Sequence, residues 1–228
     1  MDAKQLAAER AVELVRDGMK VGLGTGSTAS KAIRGIAEKV RQGLRIRAAA
    51  SSVASEKLAT ELGIPLMTQE ELEPLDLTID GADEVDSQLN LIKGGGGALL
   101  REKLLAANSS RFVVIVDDSK LTGTLGRFPL AVEVIPFAVR LTMARLAELG
   151  CRPVLRQKED GSPFLTDNGN WIADCRFGPI PDPGELAVRL STIPGVAEHG
   201  LFVQMAASVI AASPDGTIRV LGEPLTGG

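Results

Sequence analysis

Only two cysteines and one histidine occur in the 228-residue chain, and tyrosine is absent. Two thiols in a chain this long, Cys151 and Cys175, do not make a disulfide framework, and neither stands in a CxxC or metal-ligand spacing. Both read as small buried hydrophobes. Positive charge is not in excess: the net charge is −4 and the pI about 5.2. Nothing therefore favours a nucleic-acid backbone or an anionic membrane, and an anionic ligand has to be caught by local donors. No segment approaches the roughly 18 consecutive apolar residues of a membrane span. The opening stretch MDAKQLAAERAVELVRDGMK is charged throughout and does not read as a signal peptide, so a cytoplasmic protein is expected. His199, the only candidate imidazole base, lies far along the chain from the motifs below, and a surface or turn position is expected for it. Trp171 is expected in the core or at an interface.

What is present is an ordinary globular balance, 44% hydrophobic and 24% charged, which can bury a core without staples. Residues 1–120 repeat one rhythm of helical pattern, short apolar strand and Gly- or Asp-marked turn. Ile33, Ile36, Ala37 and Val40 fall at i, i+3, i+4 and i+7, one face of a helix starting at Ser27. Strands are read at MKVGLG, RIRAAAS, LDLTID and RFVVIVDD, with helices between them. That alternation predicts an α/β fold, a Rossmann-like parallel sheet flanked by helices. From about Glu133 the order becomes β-α-β-β-α-β, the ferredoxin-like arrangement, with a turn at Asn168-Gly169 and a helix start at Asp182-Pro183. Residues 128–202 are therefore a candidate inserted α+β domain and a candidate for oligomerisation, leaving 1–127 and 203–228 to the Rossmann-like domain. The segment after 202 reads as a helix or strand, a Pro-Asp-Gly turn and a last strand rejoining the first sheet.

Three motifs carry chemistry. In the first, Gly24-Thr25-Gly26-Ser27-Thr28 joins a strand to a helix; its glycines allow close backbone approach, and the helix start and hydroxyls suit a phosphate. Gly24, Gly26 and Ala29 also fit the dinucleotide fingerprint, but the acid expected to end the second strand is replaced by Ala50-Ser51-Ser52, which disfavours NAD. In the second, Asp80-Gly81-Ala82-Asp83-Glu84-Val85-Asp86 follows a strand directly. Four acids in seven residues fit a solvated turn, a cation site, or side chains turned into the crevice beyond the strand ends. A metal is not favoured, since the EF-hand spacing fails and no histidine is near. The third, Lys93-Gly94-Gly95-Gly96-Gly97, runs into a helix bearing Glu102. Four glycines are entropically expensive to order, so a loop touching a ligand explains them better than a linker, with Lys93 as a positive charge. Glu102 reads either as a functional carboxylate or as a surface residue paired with Arg101 or Lys103.

GLGTGST, DGADEVD and KGGGGALLREK, in this order, closely resemble type A ribose-5-phosphate isomerases, and the likeness extends through VDDSK, IPGVAEHGLF and the DGTIRVL tail. The resemblance implies a Rossmann-like layer plus a small α+β domain, and an oligomer, either homodimer or homotetramer. It implies Glu102 as catalytic base, Asp80 and Asp83 lining the sugar site, and Lys93 stabilising a negatively charged intermediate. Ser27 and Thr28 become phosphate ligands, with Lys120 and Lys4 adding charge. No metal and no organic cofactor are expected, nor a nucleic-acid or membrane partner. The rivals are an amino-sugar-phosphate deaminase and a sugar-phosphate sensor domain. KGGGG…REK argues against the first, and the lack of a basic recognition helix before the first loop argues against the second.

Overall fold

The structure, a computed structural model, describes residues 2–225. In chain order the first elements are α1 (Ala3–Val12), β1 (Lys20–Leu23), α2 (Ser27–Arg41), β2 (Arg47–Ala50), α3 (Val53–Glu61) and β3 (Leu77–Asp80). Next come β4 (Glu84–Val85), β5 (Leu91–Ile92), α4 (Leu99–Ala107), β6 (Phe112–Asp117), β7 (Leu130–Val134), α5 (Val139–Glu148) and β8 (Arg152–Leu155). The remainder is β9 (Trp171–Arg176), α6 (Pro183–Ser191), β10 (Val196–His199), β11 (Leu201–Phe202), β12 (Ser208–Ala212) and β13 (Ile218–Gly222). The chain divides into two units. The first holds residues up to Ala82, Arg101–Leu121 and those from Gln204 onward; the second holds Asp83–Leu100 and Thr122–Val203.

The first unit is a six-stranded sheet in the order β13-β12-β6-β3-β1-β2. Every neighbouring pair is parallel except the edge pair β12–β13. Strands buried on both faces read as continuous apolar runs, which is why Phe112–Val116 and Val209–Ala212 carry only apolar side chains. The undecided segment after residue 202 is thus a strand. On one face the small residues Ala7, Ala8 and Ala11 of α1 let it lie close to the Ile33–Ile36–Ala37 stripe of α2, over Val21, Ile79 and Ile115. Leaving β13 aside, the order is 2-1-3-4-5, and its switch point lies between β1 and β3, where such sheets leave a crevice at the carboxyl ends.

The second unit carries the four-stranded antiparallel order β10-β7-β9-β8, crossed by α5 and α6, which is the expected ferredoxin-like topology. Asp182 caps α6 by accepting the Glu185 N–H at 2.8 Å, and Pro183 opens the helix. Cys151 and Cys175 are buried in the unit's core. The neighbouring Cys151 thiol, together with burial, pushes the Cys175 thiol far above its ordinary range. His199 is not at the surface. Instead of a surface or turn position, His199 ends β10 opposite Val132 and is 4% exposed, with Nδ1 accepting the Leu201 N–H. A third sheet, β11-β5-β4, has only two-residue strands and leaves no periodic trace in the sequence.

Ile36 is fully buried, so Ile36→Ala should lower unfolding free energy by about 2–5 kcal/mol in a denaturant titration. Val53→Ala, at a half-exposed position, should change it by less than about 0.5 kcal/mol.

Candidate functional site

The glycine loop after β1 is shaped by an acid from β3. Asp80, 1% exposed, accepts the Thr25 N–H at 3.0 Å and the Gly81 N–H at 2.7 Å through the same oxygen, Oδ1. A Cβ on Gly24 would overlap Asp80 Oδ1 and crowd its Cα, so glycine is required there for the two loops to meet. Gly26 caps α2 at φ 105° and offers no side-chain cap bond, so the first N–H groups of α2 are left to other partners. Ser27 stands exposed at this helix start and its Oγ accepts from Lys4 Nζ at 3.0 Å. Thr28 is buried in the first turn. Lys120 lies half-buried in a short helical turn after β6, at the same carboxyl edge of the parallel sheet as Gly24 and Asp80. The structure therefore brings Lys4 to Ser27 and Asp80 to Thr25 within the first unit.

Where a dinucleotide-binding protein would have an acid after the second strand, there is a cluster of hydroxyls. Thr25 Oγ1 lies 2.8 Å from Ser51 Oγ, 2.8 Å from Ser52 Oγ and 3.2 Å from Ser55 Oγ. Ser55 in turn donates to Gly24 O at 2.6 Å. Serine so placed is common enough in loops that only the missing acid, not the cluster, was readable beforehand.

The acidic run is not a solvated turn, because its carboxylates are bonded to main-chain N–H groups. Asp83 Oδ2 accepts the Gly95 N–H at 2.8 Å. Glu84, 1% exposed, accepts the Gly126 N–H at 2.7 Å and the Phe128 N–H at 2.6 Å. Asp86 accepts the N–H groups of Gln88 and Asn90, each at 2.8 Å. Each acid of the motif thus fastens a different stretch of backbone. Among the described residues no group of three or more His, Cys, Asp or Glu is arranged to hold a metal ion.

In the second unit Lys93 is buried, its Nζ 5.5 Å from the centre of the Phe202 ring, and its N–H bonds Gly200 O at 2.8 Å. Gly94 takes φ 105° in a space closed by Leu99 and Ala131, and Gly97 takes φ 77° against the Phe164 ring. Gly95 and Gly96 are exposed. Not every amide of the run is available to a ligand, because Gly95 N–H goes to Asp83 and Gly97 N–H to Gly94 O. Glu102 stands in the first turn of α4, 5% exposed, which removes the reading of it as a surface helix residue. A helix start also favours a carboxylate electrostatically. Two groups escaped sequence reading: Arg156, which donates to Gly94 O and Gly95 O, and the buried Glu133, whose Oε1 accepts from Thr166, Asn168 and Asn170.

A parallel sheet in this order, with glycines, hydroxyls and acids gathered at the carboxyl ends of its strands, is the framework of an α/β enzyme acting on a small molecule. The model of the ribose 5-phosphate isomerase A (phosphoriboisomerase A) family matches residues 47–216. A ribose-5-phosphate isomerase A from Sphingopyxis alaskensis is 52% identical over 212 residues, 93% of this chain and 92% of that protein. The solved ribose 5-phosphate isomerase A of Methanocaldococcus jannaschii is 42% identical and superposes with a TM-score of 0.92, covering 97% of this chain and 99% of the other. A D-ribose-5-phosphate isomerase solved in complex with phospho-erythronic acid is 38% identical with a TM-score of 0.93, covering 97% and 98%. The chain belongs to the ribose 5-phosphate isomerase A family. Among its described residues no helix is long and apolar enough to cross a membrane.

Gly24→Ala should force Asp80 off the Thr25 N–H and lower stability by about 1–3 kcal/mol, the usual penalty of overpacking. Gly123→Ala, which meets open space, serves as the neutral control in the same denaturant titration.

Proposed function

We propose that this chain interconverts ribose 5-phosphate and ribulose 5-phosphate through an enediolate, as a cytoplasmic enzyme of the pentose phosphate pathway. The observation that carries the reading is Glu102: a buried carboxylate in the first turn of the helix that the four-glycine run opens, in a chain about half identical to ribose-5-phosphate isomerases over nearly its whole length. Moving a proton between adjacent carbons needs one carboxylate able to take it from C2 and return it to C1. Positioned acid–base catalysis of this kind contributes on the order of 10²–10⁴-fold. Glu102 is that base. The charge arising on the substrate oxygens is met by Lys93 and by main-chain N–H of the Gly94–Gly97 run.

The cyclic sugar must open first. Asp83 suits that step better than Asp80: it is only half-buried, whereas Asp80 is 1% exposed and holds the N–H groups of both Thr25 and Gly81. Asp80 then shapes the sugar site from behind. The phosphate is held at Gly24–Thr28, with Ser27, Thr28 and the free N–H groups of α2 as donors and Lys4 and Lys120 as charge. Binding energy from this remote group serves the reacting carbons. Phospho-erythronic acid, bound by the related isomerase, supports the reading, since its planar carboxylate resembles an enediolate and its phosphate matches that of the sugar. Residues 128–202, which present exposed Phe137, Leu141 and Val188, are assigned to assembly as a homodimer or homotetramer.

Glu102→Gln should lower kcat for ribose 5-phosphate by at least about 10²-fold while the far-ultraviolet dichroism stays native. Little loss in a folded variant would remove Glu102 from the role of base. Wild-type turnover should survive exhaustive EDTA treatment, and inorganic phosphate should inhibit competitively. Activity lost to EDTA and restored by Mg²⁺ would instead point to a metal on the acidic motif.

A further inference from the structure

One guanidinium holds the four-glycine run from the side. Arg156, directly after β8, donates through Nη1 to Gly94 O and Gly95 O, both at 3.0 Å. Its Nε and Nη2 are turned to Asp174 of β9, at 2.9 Å and 2.5 Å from the two carboxylate oxygens. The pair is mostly shielded from water, which strengthens the fork-to-fork contact. The Phe164 ring lies 5.6 Å from the guanidinium carbon and also fills the space beside Gly97. Arginine has five donors in one rigid plane, so Asp174 fixes the plane and the plane fixes both carbonyls.

The consequence follows from peptide geometry. No peptide bond of the described residues is cis, and in a trans peptide the C=O and N–H point in opposite directions. Drawing Gly94 O and Gly95 O toward Arg156 turns the N–H groups of Gly95 and Gly96 to the other side of the loop. The first of these meets Asp83 Oδ2 at 2.8 Å. The second belongs to an exposed glycine and, with Gly95 O held by Arg156, is turned away from the guanidinium by the same geometry. We propose that Arg156 is a positioning residue: by clamping the two carbonyls, it aims the Gly96 N–H at the oxygen that becomes negative in the enediolate. The inference rests on the isomerase reading of the glycine run given above. A donor fixed before reaction needs no reorganisation when charge develops, and a flexible glycine run cannot supply that fixity unaided.

Steady-state kinetics on ribose 5-phosphate, with inhibition by phospho-erythronic acid and by inorganic phosphate, test it on wild type, Arg156→Lys, Arg156→Met and Asp174→Asn. Arg156→Met should lower kcat by roughly 10–10²-fold, the range expected when one oxyanion donor is misaimed. The inhibition constant of phospho-erythronic acid should rise in parallel, while that of inorganic phosphate, read at Gly24–Thr28, stays unchanged. Arg156→Lys keeps the charge without the fork and should recover only part of the loss. If kcat and both inhibition constants are unchanged and only the unfolding midpoint falls, Arg156 is merely structural and the inference is overturned. Should Arg156→Met fail to fold, Asp174→Asn leaves the guanidinium present but unanchored, and unchanged kcat and analogue inhibition there overturn it equally. Wild-type protein without turnover would sink the isomerase reading and this inference with it, whereas an active wild type with unaffected variants sinks the inference alone.

Discussion

Carboxylate oxygens accepting main-chain N–H groups hold the loops of this protein in shape. Asp80 fastens the turn after β1, Asp83 the glycine run, Glu84 the segment at Gly126–Phe128, and Asp86 the turn leading into β5. A charged acceptor makes a shorter and stronger bond than a neutral one, and in a buried setting it also spares the N–H the penalty of being unpaired. Seven consecutive residues thereby organise four stretches of backbone that would otherwise wander. At Gly24 and Gly95 the carboxylates of Asp80 and Asp83 stand where a side chain would otherwise be.

Much of the architecture was legible because it rests on periodicity. The Ile33–Ile36–Ala37 stripe, the apolar run of β6, and the Asp182-Pro183 helix start each express a local rule, and each appears where the rule puts it. The three-stranded β11-β5-β4 sheet was not legible, because two-residue strands have no period to detect. His199 went astray for a related reason: distance along the chain from the motifs suggested a surface or turn position, while its burial comes from the long-range pairing of β10 with β7. At the site, residue types and order were readable, since a glycine run and an acidic run are rare enough to stand out. What each acid touches was not, because carboxylates bond to backbone, and backbone leaves no mark in the sequence. Arg156 and Glu133 were invisible for the complementary reason that a single charged residue in a strand-rich segment reads as surface.

The hydroxyl cluster beside the first loop stands where a dinucleotide-binding framework carries an acid. An acid at the end of β2 would reach for a ribose diol; Ser51, Ser52 and Ser55 instead bond inward to Thr25 and Gly24. Their bonding capacity is spent on the shape of the loop, so the loop's open donors are those of α2 and the hydroxyl of Ser27. The end of β2 thus offers no carboxylate of the kind a nucleoside diol would need.

Among the crowded glycines, two kinds differ in what stands opposite them. Gly97 faces the ring of Phe164 and Gly195 the side chain of Thr142, so the obstacle in each case is itself a replaceable side chain. Gly200 faces the carbonyl oxygens of Lys93 and Ala131, and Gly126 faces that of Gly178. No substitution elsewhere can move a carbonyl out of the way without redrawing the chain. Over long divergence the first kind is open to paired exchange, a smaller neighbour admitting a larger residue, within the limits its positive φ sets. The second kind has no partner to trade with, and related chains should keep glycine there even where nearly everything around it has drifted.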